Sequence, residues 1–126
     1  MILVIGGAYQ GKLAYALNRF ELTSSEVYCC NDNDTTMPQG KAIVYDIDRW
    51  ILALVQAGRN VAGEIERFIE SNKSVVVICN DISCGVVPVD AVMRKWREEV
   101  GRAMGKCAQQ SEEVIRLFCG IPTRLK

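Results

Sequence analysis

Ile2-Leu3-Val4-Ile5-Gly6-Gly7-Ala8-Tyr9-Gln10-Gly11-Lys12-Leu13 is the stretch that decides the fold. Four consecutive apolar residues without polar alternation read as a strand covered on both faces, as in a parallel sheet, and the glycines that follow end it. Leu13, Ala16, Leu17 and Phe20 then recur at helical spacing, so a helix is predicted to start near Gly11. Between the two, Gly6 and the pair Gly11-Lys12 stand at the spacing of a Walker A loop, in the strand, loop and helix setting that such a loop needs. Each part has a physical task. The glycines let the backbone of Gly6, Gly7, Ala8, Tyr9, Gln10 and Gly11 curl until its amide hydrogens point at phosphate oxygens, and the helix N-terminus adds partial positive charge. Lys12 reaches the β and γ phosphates as a mobile cation. The next position ordinarily gives a Ser or Thr hydroxyl to Mg²⁺; here it is Leu13, which cannot coordinate a metal and puts a Mg²⁺ cofactor in doubt. The alternative is a plain tight turn followed by a solvated first-turn lysine.

Downstream, residues 26–30 form a second strand candidate with Val27 and Tyr28 central, closed by the polar loop Asn31-Asp32-Asn33-Asp34-Thr35-Thr36. A third strand covers residues 42–45 and ends on Asp46. Ile51, Leu54, Val55, Ala62, Ile65, Phe68 and Ile69 give a long helical pattern weakened around Gly58 and Gly63, where a bend or break is expected. Residues 75–79, Val-Val-Val-Ile-Cys, are the clearest strand; it stops at Asn80-Asp81, before the loop Ser83-Cys84-Gly85-Val86-Val87-Pro88. Val92, Trp96, Val100, Ala103, Met104 and Cys107 mark another amphipathic helix. A last strand spans residues 114–118, with a tail turned by Gly120 and Pro122. Strand and helix alternate almost throughout, which predicts an α/β domain with a mainly parallel sheet and ligands at the carboxyl ends of its strands. With 126 residues and no internal repeat or linker, residues 1–126 read as one domain.

Composition removes several classes. Hydrophobic residues at 49% and charged residues at 24% suit a globular domain rather than a disordered chain. Lys plus Arg and Asp plus Glu both number 15, so no global field draws in nucleic acid or anionic lipid. No apolar run approaches the ~20 residues of a membrane span. The first residues lack the pattern of a secretory signal, and a cytoplasmic location is expected. Six cysteines stand at 29, 30, 79, 84, 107 and 119 without a Cys-x-x-Cys pair and without any histidine in the chain. They read as reduced core or near-core residues, and no metal site is assigned to them.

Three polar features remain. Asp46 ends its strand as a Walker B acid does, placed to hold a magnesium-bound water; equally, it reads as a strand-terminal Asp that caps the following helix, alone or with Asp48. Asn80-Asp81 ends the fourth strand on the same sheet edge, where Asp81 can orient a nucleophile or a base, or the pair can form a turn or helix cap. Trp96 shares a stripe with Val92, Val100 and Ala103 and reads as core or interface. Arg94, Lys95, Arg97, Arg102 and Lys106 read as the solvated face of that helix, blunted by Glu98 and Glu99.

At residues 6–13, and again at Cys79-Asn80-Asp81-Ile82-Ser83-Cys84-Gly85-Val86-Val87-Pro88, the chain resembles the bifunctional adenosylcobinamide kinase and adenosylcobinamide-phosphate guanylyltransferase family of cobalamin biosynthesis. That family carries G-G-A-R-S-G-K-S after its first strand and T-N-E-V-G-x-G-I-V-P at the end of a later one. The likeness continues through Gly101-Arg102 to Gly120-Ile121-Pro122, and Ala42-Ile43-Val44-Tyr45-Asp46 looks like the family's strand ending in an acidic nucleotide contact. The resemblance implies a three-layer RecA-like P-loop fold, GTP or ATP as phosphate donor, a cobinamide substrate and a homo-oligomer. It also implies a kinase in which Lys12 stabilises the transferred phosphoryl group, Asp46 holds Mg²⁺ through water and Asp81 positions the substrate hydroxyl. Two departures limit this. Family members carry, between their second and third strands, a longer segment with the histidine that takes up GMP; here only residues 31–41 join those strands, so guanylyl transfer by that route is excluded. Leu13 weakens the kinase step. The expected protein is therefore a short, degenerate member that binds a purine nucleotide, or else a non-catalytic regulatory or structural partner with an empty or magnesium-independent loop.

Overall fold

Strand β1 (Ile2–Gly6) runs through the middle of the molecule, paired in parallel with β4 (Val76–Asn80) on one side and β5 (Glu113–Phe118) on the other. The computed structural model describes residues 1–82 and 89–126. The predicted loop Ser83-Cys84-Gly85-Val86-Val87-Pro88, with the second half of the family-like segment, lies outside the described residues. Among the described residues the sheet has six strands: β2 (Val27–Cys29) and β3 (Ile43–Tyr45) extend it beyond β4, and β6 (Ile121–Arg124) closes the far edge. Every pairing is parallel except β5 with β6.

Side-chain alternation divides the core into two layers, because successive residues of a strand point to opposite faces. Leu3, Val44, Val77 and Val114 face α2 (Ile47–Gln56), α3 (Val61–Ser71) and α4 (Ala91–Gln110). Val4, Ile43, Ile78 and Ile115 face α1 (Lys12–Arg19), which lays Ala16 on them and flanks it with Leu13, Leu17 and Phe20. Helices thus cover both faces, which makes the domain a three-layer α/β structure of the RecA-like P-loop type. The strand order has one further consequence. β4 stands between β1, which leads into the glycine loop, and β3, which leads into Asp46.

The helical pattern over residues 51–69 divides at Gly58, not Gly63. Gly58 takes φ 69° and donates its N–H to the Val55 carbonyl while Arg59 N–H reaches Leu54, a closure that ends α2 and requires the left-handed conformation glycine tolerates. Gly63 stays inside the first turn of α3, where its N–H is capped by the Asn60 side chain at 3.3 Å. Trp50 and Phe68, both fully buried, join the two helices with ring centroids 5.6 Å apart. Each such side chain contributes roughly 1.5–3 kcal/mol through burial.

Two expectations are corrected at the margins. The tail is a strand: Cys119 (φ 51°) and Gly120 (φ 74°) form a two-residue hairpin turn, and Pro122 sits in β6 opposite Leu117. Proline is tolerated there because β6 is an edge strand with no further neighbour needing its missing N–H. Of the cysteines, Cys30, Cys79 and Cys107 are buried as expected, whereas Cys29 and Cys119 are exposed, one on the outer strand and one at the hairpin tip. Burial raises the Cys107 thiol to about 12 and moves Cys30 and Cys79 upward as well, which keeps these three protonated and unreactive at neutral pH.

Candidate phosphate-binding site

Gly6 ends β1 with almost no room to spare: a Cβ placed there would lie 2.6 Å from the Leu117 carbonyl oxygen. Its own carbonyl accepts the Asp81 N–H at 2.8 Å, which ties the start of the loop to the end of β4. The loop then rises through Gly7, Ala8, the fully exposed Tyr9 (φ 60°) and Gln10 to Gly11 (φ 83°), and Lys12 opens α1. Gln10 fastens the loop to the hairpin at the other end of the sheet. Its side-chain oxygen accepts from Cys119 N–H and its backbone carbonyl from Gly120 N–H.

Lys12 is not a solvated first-turn lysine. Only 4% exposed, it turns back into the loop and donates from Nζ to the Gly7 carbonyl at 2.6 Å. Burial lowers its pKa, while Asp46 and Asp48 pull it the other way and favour the charged form. Burying an ammonium is costly unless it is paired, and here the Gly7 carbonyl and the two nearby carboxylates offset that cost.

Asp46 faces it from the end of β3. The residue adopts the left-handed conformation (φ 58°, ψ 48°) just ahead of α2 and makes no side-chain cap bond, so the capping alternative is set aside. Aspartate tolerates this backbone better than most residues, and sparsely populated backbone of this kind clusters at functional sites. Instead its Oδ1 accepts from Asn80 Nδ2 at 3.0 Å. The same amide lies 3.4 and 3.3 Å from the two carboxylate oxygens of Asp48, and Asn80 N–H donates to Asp48 Oδ1 at 3.1 Å. Asp48 is buried below the cleft, and its backbone carbonyl takes the indole N–H of Trp96 at 2.7 Å, which pins α4 to the start of α2. Burial raises the Asp46 pKa, and the Asp48 charge raises it further; Asn80, Arg49 and Lys12 oppose the shift.

Ala8, Tyr9, Gln10, Gly11, Lys12 and Leu13 meet Tyr45, Asp46, Arg49 and Asn80 around one cleft of about 460 Å³. Gly6 and Gly7 lie beneath it as the turn that shapes the loop. Asp81 is not in this cleft. It lines a separate, more apolar hollow of about 220 Å³ with Ile5, Ile82, Arg97 and Met104, and among the described residues Asn80 is the one that touches both. Among the described residues Asp46 is the one carboxylate on the cleft wall, and Leu13 supplies no oxygen.

Asp48 and Arg49 carry more of this geometry than their sequence positions announced. Both follow from one local event, the left-handed turn at Asp46, which starts α2 immediately and places Asp48 inward and Arg49 outward within its first turn. Asp-x-Asp-Arg directly after an apolar strand was the only signal available.

A glycine loop between a central parallel strand and a helix, a buried loop lysine, and an acid at the end of a strand one removed define a P-loop domain. The chain belongs to the cobinamide kinase / cobinamide phosphate guanyltransferase family, whose model matches residues 34–125. That match takes in Asp46, Asp48, Arg49 and Asn80 and begins downstream of the glycine loop. No curated protein matches the chain. Among the described residues no helix is long and apolar enough to cross a membrane.

Proposed function

We propose that this protein is a degenerate member of its family that binds a purine nucleotide, GTP or ATP, through residues 6–13, and that it no longer transfers a guanylyl group. The observation that carries the reading is Lys12: a buried ammonium held at the Gly7 carbonyl within a Walker A-spaced loop, across the cleft from Asp46. Asp46 and Asp48 favour its charged form, and Nζ stands within the loop, where a phosphate oxygen would meet it. The wall chemistry does not suit the usual magnesium site, because Leu13 offers no ligand and one oxygen of Asp46 is already engaged by Asn80. Magnesium-independent binding is therefore the form we infer. The 126 residues contain no histidine, so no imidazole of this chain takes up GMP.

Where a kinase activity survives, the family description makes a cobinamide its acceptor. Lys12 stabilises the moving phosphoryl group, Asp46 orders the phosphate end and Asp81 positions the acceptor from its neighbouring hollow. A second reading, a non-catalytic regulatory or structural subunit, is favoured by the same Leu13 and by the separation of Asp81 from the cleft. Assembly into a homo-oligomer belongs to either reading, and sedimentation of the purified chain tests it.

Calorimetry with GTP and ATP, each with Mg²⁺ and with EDTA, decides between them. Failure of both nucleotides to bind at millimolar concentration would sink nucleotide recognition. Equal affinity with and without the metal, together with no phosphate transfer to adenosylcobinamide, establishes the binding module over the kinase.

A further inference from the structure

Arg49 is a second cation on the cleft wall. It stands in the first turn of α2, three residues after Asp46, with more than half of its side chain exposed. Its ion-pair partners hold it loosely: Asp46 Oδ2 lies 4.0 Å from Nε, and Asp32 Oδ2 3.8 Å from Nη1, the latter on a part-exposed loop side chain. Neither distance is a hydrogen bond. A guanidinium with five donors in a planar fork thus borders the same space as the loop and Lys12, and its two acidic neighbours engage it only through space.

The charge inventory gives that placement a purpose. Polyphosphate binding requires positive charge near the terminal phosphates, ordinarily shared between the loop lysine and a divalent ion held by the hydroxyl that follows it. Leu13 removes that hydroxyl, and the Asp46 carboxylate offsets part of the charge that Lys12 brings to the cleft. An arginine fork matches phosphate geometry in a bidentate manner and needs no metal to do so. We propose that Arg49 is a second phosphate-binding cation of the cleft beside Lys12, taking on a nucleoside triphosphate the charge-neutralising role that the Leu13 position cannot pass to magnesium. This rests on the nucleotide-binding reading above and specifies its ligand as the metal-free triphosphate.

The test is titration of ATP and GTP, with the corresponding diphosphates and nucleosides, into the wild-type chain and into Arg49→Ala and Arg49→Lys, all in EDTA. Arg49 is exposed and fills no core position, and unchanged thermal unfolding of both variants verifies that they remain folded. Expected is a roughly tenfold to hundredfold weaker triphosphate affinity in Arg49→Ala, partial retention in Arg49→Lys, and little change for the nucleoside. Triphosphate binding by Arg49→Ala within about twofold of wild type would overturn the role of Arg49 while leaving the nucleotide site standing. Absence of binding by the wild-type chain itself would overturn both.

Discussion

Replacing Gly6 by alanine tests how closely the loop descends onto the sheet. The added Cβ would lie 2.6 Å from the Leu117 carbonyl oxygen, against 3.4 Å or more for an ordinary contact, so the two must part by about 0.8 Å. Neither side can yield cheaply. The oxygen belongs to the backbone of β5, and Gly6 is in register with Leu117 across the β1–β5 ladder while its carbonyl holds Asp81 N–H at 2.8 Å. Overpacking costs about 1–3 kcal/mol, here in the upper half of that range because both contacting groups are backbone, and the reduced freedom of the unfolded chain returns about 0.5–1 kcal/mol. A net destabilisation of about 1–2 kcal/mol follows, corresponding to a fall in Tm of roughly 3–10 °C for a domain of this size. Gly105→Ala is the internal control: it lies within α4 with nothing inside 4 Å of the added carbon, and it should stabilise by about 0.5–1 kcal/mol. Urea unfolding followed by circular dichroism reads both. If Gly6→Ala unfolds within 0.5 kcal/mol of wild type, or above it, β1 does not approach β5 as described and the steric account of the loop's first glycine fails.

Leu13→Ser returns the missing hydroxyl, and nucleotide affinity measured by calorimetry should become stronger with Mg²⁺ than with EDTA; an unchanged metal profile would mean that more than this ligand has been lost. Asp46→Asn removes the like charge that faces a bound triphosphate, so binding in EDTA should tighten several-fold, whereas a loss of affinity would show that the carboxylate is needed to hold Lys12 and Arg49 in place. Glu64 is a nearly buried carboxylate: burial pushes its pKa up, but hydrogen bonds from Arg59 at 2.9 Å and Arg67 at 2.6 Å prevail and hold it below its usual value. A depressed acid gives stability that is present above its unfolded pKa of 4.5 and lost as pH falls through the folded one. Glu64→Gln should therefore cost about 1 kcal/mol at pH 7 and progressively less below pH 4.5 in unfolding experiments, and a pH-independent difference would refute the ion pair as its source.

The sheet and its helices were legible in the sequence because they rest on periodicity, and periodicity survives without knowledge of partners. Residues 2–5 and 75–79 had to be interior strands once every side chain in them was apolar, and the observed β1 and β4 are neighbours at the centre. What sequence could not show was decided by single backbone turns. β6 was hidden because Pro122 argues against a strand until the strand is known to be an edge, and the turn before it puts Cys119, an unlikely residue for positive φ, into the left-handed region. The site divides in the same way. Lys12 and the loop were visible as a motif, since spacing alone defines them.

Asn80, Asp48 and Arg49 depended on two facts with no sequence signature: that β4 lies between β1 and β3, and that α2 starts at the residue after Asp46. The first brings Asn80 within reach of both carboxylates. The second decides which side chain of the Asp46-Ile47-Asp48-Arg49 run faces inward, and it assigns Asp48 to the buried network and Arg49 to the cleft. Were α2 to begin one residue later, a rotation of about 100° per residue would carry Arg49 into the place of Asp48 and Trp50 into that of Arg49, and the cleft would lose its exposed cation. The left-handed conformation of Asp46 is thus the local feature that decides which side chains of α2 border the glycine loop.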